Sequence, residues 1–260
     1  MRLFITCILL ISTKMKYILT SSSCMNQPEN QTGAARLEDL HLDKCRLEDS
    51  ACLIKAFQNA IPTFSKGLPE WGVDVMDVME FDDDVKFDIA GFSLRFANGR
   101  LKGYRNIILN TVKWDTKNQT VYVDYTAPTF ALSGTYAANG RIFSRPIIGD
   151  GDIKLQIKNI IVKILLFINT YKKNNKTYVC IKDYKYDFNV EGSARYNLTN
   201  LFNGNKELSD VALKFINTYS KEITHEFGRP LMDSVGSKVF RNVDRFLARA
   251  PLEDISYSYQ

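Results

Sequence analysis

Residues 146–168 read PIIGDGDIKLQIKNIIVKILLFI, and three incompatible structures compete for this stretch: a glycine loop opening a phosphate-binding helix, a membrane segment, or one wall of an apolar interior. A dinucleotide-binding loop needs a third glycine where Lys154 stands, and a nucleotide phosphate loop needs a Gly-Lys-Ser/Thr ending that is missing. After Gly151 the residues alternate: Ile153, Leu155 and Ile157 on one side, Lys154, Gln156 and Lys158 on the other. No membrane helix tolerates a polar or charged residue at every second position, whereas a half-buried strand requires that pattern. The stretch therefore predicts a strand with one face turned to an apolar interior.

The same period of two runs outward from it. Val85, Phe87 and Ile89, then Val121, Val123 and Tyr125, then Tyr184, Tyr186 and Phe188 predict a long antiparallel meander between Val73 and Leu201. Its expected turns are Asn98-Gly99, residues 115–119, Asn139-Gly140 and the KKNNK loop at 172–176, whose lysines read as a solvated hairpin tip. Before the meander, Leu53, Ile54, Phe57, Ile61 and Phe64 recur at helical spacing, with Asp49 as cap, Pro62 near the end and Gly67 as stop. After it, an apolar stripe at steps of three and four runs from Leu208 to Phe246, through Val211, Phe215, Tyr219, Ile223, Phe227, Leu231, Val235, Val239 and Val243. A helix of that span is about 60 Å long, bent near Pro230. It cannot bury its stripe alone, and the meander is the one element long enough to wrap it.

Composition narrows the function. The 260 residues are 45% hydrophobic and 24% charged, as in ordinary globular domains. MRLFITCILLI has one Arg ahead of an apolar run too short to span a bilayer, so residues 1–23 are expected to be a secretory leader and residues 24–44 a flexible N-terminal segment. The 34 basic residues less Arg2, Lys14 and Lys16 of the leader leave 31 against 29 acidic ones, a balance that disfavours nucleic acid as a partner. Cys45 and Cys52 are expected to form a disulfide; closing so short a loop contributes roughly 2.5 kcal/mol on the chain-entropy account. A zinc site lacks companion ligands, because the histidines are His41 and His225 alone and no second cysteine pair exists. Cys180 reads either as a buried thiol or as a partner of Cys24. Asn30, Asn118, Asn175 and Asn197 open glycosylation sequons, which matter if the chain is exported.

Catalysis has few parts to work with. No G-x-S-x-G elbow exists, His41 lies in the N-terminal segment and His225 lies off the apolar stripe. The acidic run with Glu80, Asp82, Asp83, Asp84 and Asp88 lacks the glycine and the terminal glutamate of a calcium loop, and reads as a solvated strand start. The expectation is a protein that is not an enzyme and uses neither metal nor cofactor.

The order of several short motifs resembles one insect family. The Cys45–Cys52 pair, KGLPEWGV from Lys66, FANGRLKGY from Phe96, PIIGDG from Pro146, LFNGNKEL from Leu201 and the terminal helix with Pro230 together resemble the takeout and juvenile-hormone-binding proteins. The resemblance covers residues 45–260 as a single domain. It implies an α+β fold: a long C-terminal helix wrapped by a strongly curved antiparallel β-sheet, with a short N-terminal helix, around a hydrophobic tunnel. It also implies a secreted monomeric carrier of a small hydrophobic ligand in haemolymph or another extracellular fluid. Where the family carries Asp-Pro-Leu this chain has Asp77, Val78 and Met79, and the second disulfide of the hormone carriers has no evident counterpart. Leu155 falls where hormone carriers present a tyrosine to the ligand, which places the chain nearer the takeout branch and favours a terpenoid, fatty acid or similar lipid over juvenile hormone.

On that reading the expected lining is Phe57, Ile61 and Phe64; Phe130, Leu132 and Tyr136; Ile153, Leu155 and Ile157; and Phe215, Tyr219 and Ile223, with Tyr136 and Tyr219 as hydrogen-bonding handles. The alternatives are a lipid-binding immune protein acting at membrane surfaces, without stable insertion, and an interaction module directed at a receptor.

Overall fold

The computed structural model describes residues 42–81, 83–89, 91–142 and 145–259. The expected leader, Cys24, Asn30 and His41 lie outside these residues. A first helix, α1 (Ser50–Phe64), starts where the Asp49 carboxylate accepts from Cys52 N at 3.0 Å and ends ahead of Gly67, whose φ is +85°. The strands follow as β1 (Met79–Glu80), β2 (Val85–Ile89), β3 (Phe92–Lys102), β4 (Ile108–Asp115), β5 (Thr120–Ile142), β6 (Arg145–Lys173) and β7 (Lys176–Leu198). The helices α2 (Lys206–Thr218), α3 (Ser220–Phe227), α4 (Arg229–Leu247) and α5 (Leu252–Ile255) complete the chain. Every pairing among the described strands is antiparallel, in the order β1-β3-β5-β6-β7, with β2 also on β3 and β4 also on β5.

The stretch around Gly149 is a strand, the middle of β6, and its length forces the sheet to curve. At about 3.3 Å per residue the 29 residues of β6 would extend about 95 Å, roughly twice the diameter of a globular domain of this size. Bulges supply the bend. At Asn159, with φ +50°, the register of β6 on β7 shifts, and the buried side of β6 changes from odd positions (Leu155) to even ones (Ile160, Val162, Leu166). Gly192 stands across this bulge, where a Cβ would lie 2.4 Å from the Lys158 carbonyl oxygen.

Two expected turns are bulges or strand interior instead. Asn98-Gly99 lies inside β3, where the register on β5 shifts between Ala97 and Arg100, and Asn139-Gly140 lies inside β5 opposite Ile148 and Ile147. The positive φ that marks a hairpin turn serves here to bend a continuing strand. Gly140 also lies so close to the loop before β3 that a Cβ would come 2.3 Å from Gly91 O. The turns at 115–119 and 172–176 form as expected, with Asp115 opposite Thr120 and Lys173 opposite Lys176.

The single 60 Å helix is corrected to three helices in series. Pro230 has no N–H to give to the preceding turn, and its ring crowds that turn's carbonyl, so the helical run is interrupted at Gly228. A second break falls at Tyr219, φ −107° and ψ 31°. Hydrogen bonds across both joints, Ile223 N to Tyr219 O at 2.9 Å and Met232 N to Gly228 O at 2.9 Å, keep the three segments in sequence as a kinked rod.

The rod is fastened to the free edge of β7. Asn217 of α2 accepts from Tyr196 N at 2.8 Å and donates to Tyr196 O at 2.9 Å, so its amide copies what a neighbouring strand would offer. Asp244 of α4 accepts from Ile181 N at 2.8 Å, and Glu253 of α5 accepts from Thr177 N at 2.9 Å. The β4 edge is closed in the same way: Gln58 of α1 donates to Ile107 O at 2.9 Å and accepts from Leu109 N at 2.8 Å. An open edge would invite pairing with another chain, and these side chains satisfy it internally.

The Cys45–Cys52 disulfide forms, and its loop joins the start of the domain to its end. Cys45 makes a parallel bridge with Ser256, Tyr257 N donates to Cys45 O at 3.1 Å, and Leu47 N donates to Ser258 Oγ at 3.0 Å. Cys180 is buried and is not a free thiol.

Two stability measurements test this account. Gln58→Ala and Asn217→Ala each strand main-chain groups that lack another partner, and should each cost about 1–3 kcal/mol in denaturant unfolding with unchanged circular dichroism. Cys45→Ser/Cys52→Ser should cost roughly 2.5 kcal/mol by the same measurement.

Candidate functional site

Alternation places one face of each long strand toward the helices, and the main core gathers there. Phe96 and Leu101 of β3, Phe130 and Leu132 of β5, Leu155, Ile160 and Val162 of β6, and Phe188 and Val190 of β7 are buried in one cluster with Val235 of α4. Around them stand residues that face the same interior yet keep part of their surface accessible: Leu94, Val123, Ile153, Ile157, Ile164 and Met232. The Leu101–Leu132–Leu155–Tyr196 row crosses β3, β5, β6 and β7 at one level, so the wall at Leu155 is hydrocarbon from three strands and tyrosine from the fourth.

Four tyrosines bring hydroxyls to or beside this wall, and each is paired. Tyr104 and Tyr125 are both buried with their oxygens 3.4 Å apart, and the Tyr104 ring lies 5.3 Å from that of Phe130. Burial raises the Tyr104 hydroxyl to about 12 and Tyr125 well above its ordinary value. Only one of these two hydroxyls can donate to the other, so one buried O–H proton has no acceptor among the described residues. Tyr196 shares a 2.8 Å hydrogen bond with Thr224 of α3, and Tyr186 donates in a short hydrogen bond to Asp233 of α4. Burial also raises the pKa of both, with the Asp233 hydrogen bond adding to the effect at Tyr186. These hydroxyls remain neutral donors at physiological pH.

Among the residues nominated from sequence, Ile61, Phe64, Phe130, Leu132, Ile153, Leu155 and Ile157 come together in or against this main cluster. Phe57 packs in a separate cluster with Leu53 and Val112, beneath α1 on β4. Tyr136 is buried at the far end with Ala138 and Leu201, and its hydroxyl is spent on Thr199 O at 2.7 Å. Burial, and then the nearby Asp150 carboxylate, push that hydroxyl up to about 12. Phe215 and Tyr219 stand 46% and 49% exposed, their rings 5.0 Å apart, and Ile223 is partly exposed outside the main cluster. The apolar α2 residues that reach the sheet are Ala212 and Leu213, on another side of that helix. Sequence reasoning missed Tyr104, whose position after Gly103 follows no period. It also passed over Tyr125 as a site, although the alternation Val121, Val123, Tyr125 already placed that side chain inside.

His225 is exposed, and no group of three or more metal-ligating side chains occurs among the described residues. Among the same residues, no helix is long and apolar enough to cross a membrane.

Comparison with known proteins places this arrangement. The profile of the haemolymph juvenile hormone binding protein family matches residues 20–256. The circadian clock-controlled protein daywake of Drosophila melanogaster is 27% identical over 187 residues, 68% of this chain and 72% of that protein. Its counterpart from Drosophila yakuba is 25% identical over 213 residues, 78% and 81% of the two chains. The crystal structure of Epiphyas postvittana Takeout 1 superposes with a TM-score of 0.79 at 43% identity, covering 83% of this chain and 99% of that one. A curved antiparallel sheet with C-terminal helices is thus shared with a takeout structure, and the chain belongs to the haemolymph juvenile hormone binding protein family.

Proposed function

We propose that this chain is an extracellular carrier that holds one small hydrophobic molecule, a terpenoid, fatty acid derivative or similar lipid, between the curved sheet and the helices. The observation that carries the reading is the accessible surface left on inward-facing apolar residues. Ile153, Ile157, Ile164 and Met232 pack against the core and keep part of their apolar surface accessible, surface that a bound apolar molecule would cover. Space lined by hydrocarbon is poorly wetted and takes apolar guests. Covering about 400 Å² of ligand at about 25 cal/mol per Å² gives on the order of 10 kcal/mol before ordering losses, enough for micromolar to nanomolar affinity. Leu132, Leu155, Ile153 and Ile157 form the wall of this proposed site, and the spare proton of the Tyr104–Tyr125 pair is the group that would orient a ligand oxygen. The disulfide and the exposed sequon residues Asn118 and Asn175, both at turns, agree with export. No step of this function asks for chemistry, and the chain acts by binding.

Mass spectrometry of an apolar extract of the purified secreted protein should find one lipid per chain. No lipid, together with no uptake of an apolar fluorescent probe, would sink the proposal. Leu155→Arg is a poor probe, because that side chain is 5% exposed and a buried cation would threaten folding. Ile157→Trp, at a partly accessible position on the inner face, should instead weaken probe uptake about tenfold or more while leaving the unfolding midpoint nearly unchanged.

The double variant Tyr104→Phe/Tyr125→Phe, which removes both hydroxyls, should reduce affinity for a fatty methyl ester roughly threefold to tenfold, the worth of one hydrogen bond, and leave binding of the hydrocarbon of equal length unaltered. Titration with the two ligands checks this, and equal losses for both would remove the tyrosine pair from ligand orientation.

A further inference from the structure

The outer face of the same sheet carries a depression of about 550 Å³ rimmed by four cations, Arg100, Lys102, Lys154 and Arg195. It is the product of register. Arg100 stands opposite Ser133 and Ser133 opposite Lys154, while Lys102 stands opposite Ala131, which aligns through Gln156 with Arg195. Small side chains on β5 lie between long ones on β3 and on β6 and β7, so the floor sinks and the charges ring it. Strand spacing puts Arg100 about 10 Å from Lys154 and Lys102 about 14 Å from Arg195 at the backbone, distances their side chains close over a single anion. Leu132 and Leu155, between these rows, also line the depression, although both are buried and strand alternation turns their side chains to the opposite face.

Three of the four cations are uncommitted. Arg100 meets Glu80 at 3.1 Å, both side chains more than half exposed, a pair of little strength. Lys102, Lys154 and Arg195 are exposed and have no ion pair among the described residues. Lys158, on the next outward position of β6, adds to the same sign. The positive charge is local to the depression: Asp152, exposed on the preceding outward position of β6, is the nearest carboxylate along that strand.

We propose that this face docks reversibly on an anionic bilayer, with a lipid phosphate seated in the depression between Lys102, Lys154 and Arg195. The composition selects the occupant. Val78, 37% exposed, and Ala131 give the depression apolar floor beneath a charged rim. A phospholipid at the bilayer surface presents the same division, phosphate above and glycerol and acyl carbons below. A sulfated polysaccharide has no apolar portion to match. A few cations near an anionic surface give weak, salt-sensitive attachment, suited to arrival and departure. The inference rests on the outer face alone and stands apart from what fills the inner one.

Asn197 opens a sequon and lines the depression, so the test is run in an Asn197→Gln background that carries no glycan there. The protein is sedimented with phosphatidylcholine vesicles, with and without one-third phosphatidylserine, at low and high salt. Lys154→Glu/Arg195→Glu should lower partitioning onto the anionic vesicles about tenfold or more, and Lys154→Gln/Arg195→Gln by a smaller factor. The equal charge change Lys172→Glu/Lys173→Glu at the hairpin tip should alter it less than about twofold. If the reversed pair does not fold by circular dichroism, the neutral pair decides. Equal partitioning onto uncharged vesicles, equal loss in the hairpin variant, no loss in either pair, or heparin retention without vesicle binding would each overturn the proposal, the last in favour of a glycan. Apolar probe uptake is measured alongside: charge-dependent docking without uptake would leave the docking face standing and remove the carrier reading.

Discussion

A long curved sheet leaves main-chain donors and acceptors unpaired along its edges, and here side chains from helices satisfy them. Gln58 and Asn217 each give one donor and one acceptor to a strand that has no neighbouring strand on that side among the described residues, and Asp244 and Glu253 accept two further β7 amides. The same contacts fix where the helices lie. The rod cannot slide along β7 without releasing these partly buried hydrogen bonds, so the apolar faces of α4 and of the sheet are held in register by polar groups at the margin. Hydrophobic burial supplies most of the favourable energy, but it is indifferent to direction, and the edge bonds choose the arrangement.

The two faces of the sheet then do different work from one alternating sequence. Inward positions give a hydrocarbon wall in which the hydroxyls of Tyr104, Tyr125, Tyr186 and Tyr196 stay protonated because burial opposes the phenolate. Such a wall offers donors without charge. Outward positions on the same strands gather Arg100, Lys102, Lys154 and Arg195, one residue away in sequence from Leu101, Leu155 and Ala194 and on the opposite side of the backbone.

Much of this was legible in the sequence because it follows from periods. The alternation from Ile153 to Lys158 gave the strand and its buried side, Asp49 gave the start of α1, and the stripe from Leu208 to Phe246 gave the helical rod. What was not legible had local causes. Asn98-Gly99 and Asn139-Gly140 carry turn chemistry, yet a residue with positive φ bends a continuing strand as readily as it reverses one, and only pairing partners distant in the chain decide. The helical stripe likewise cannot say which of its members touch the sheet: Phe215 and Tyr219 belong to it and are half exposed, because Asn217 and Ala212 turn α2 toward β7 along another side. Tyr104 follows a glycine in a short 3-10 turn, where no repeat announces which way a side chain points.

The bulge at Asn159 has a genetic corollary. Because the two halves of β6 bury opposite parities, the loss or gain of one codon on either side of Asn159 would exchange lysines for isoleucines over half the strand, turning its charged side inward. Length variation in descendants of this sequence is therefore confined to the hairpin tips near 116–119 and 173–176, or must come as paired changes on adjoining strands. In the long strands the outward positions are open to substitution, whereas insertion is closed along their whole length.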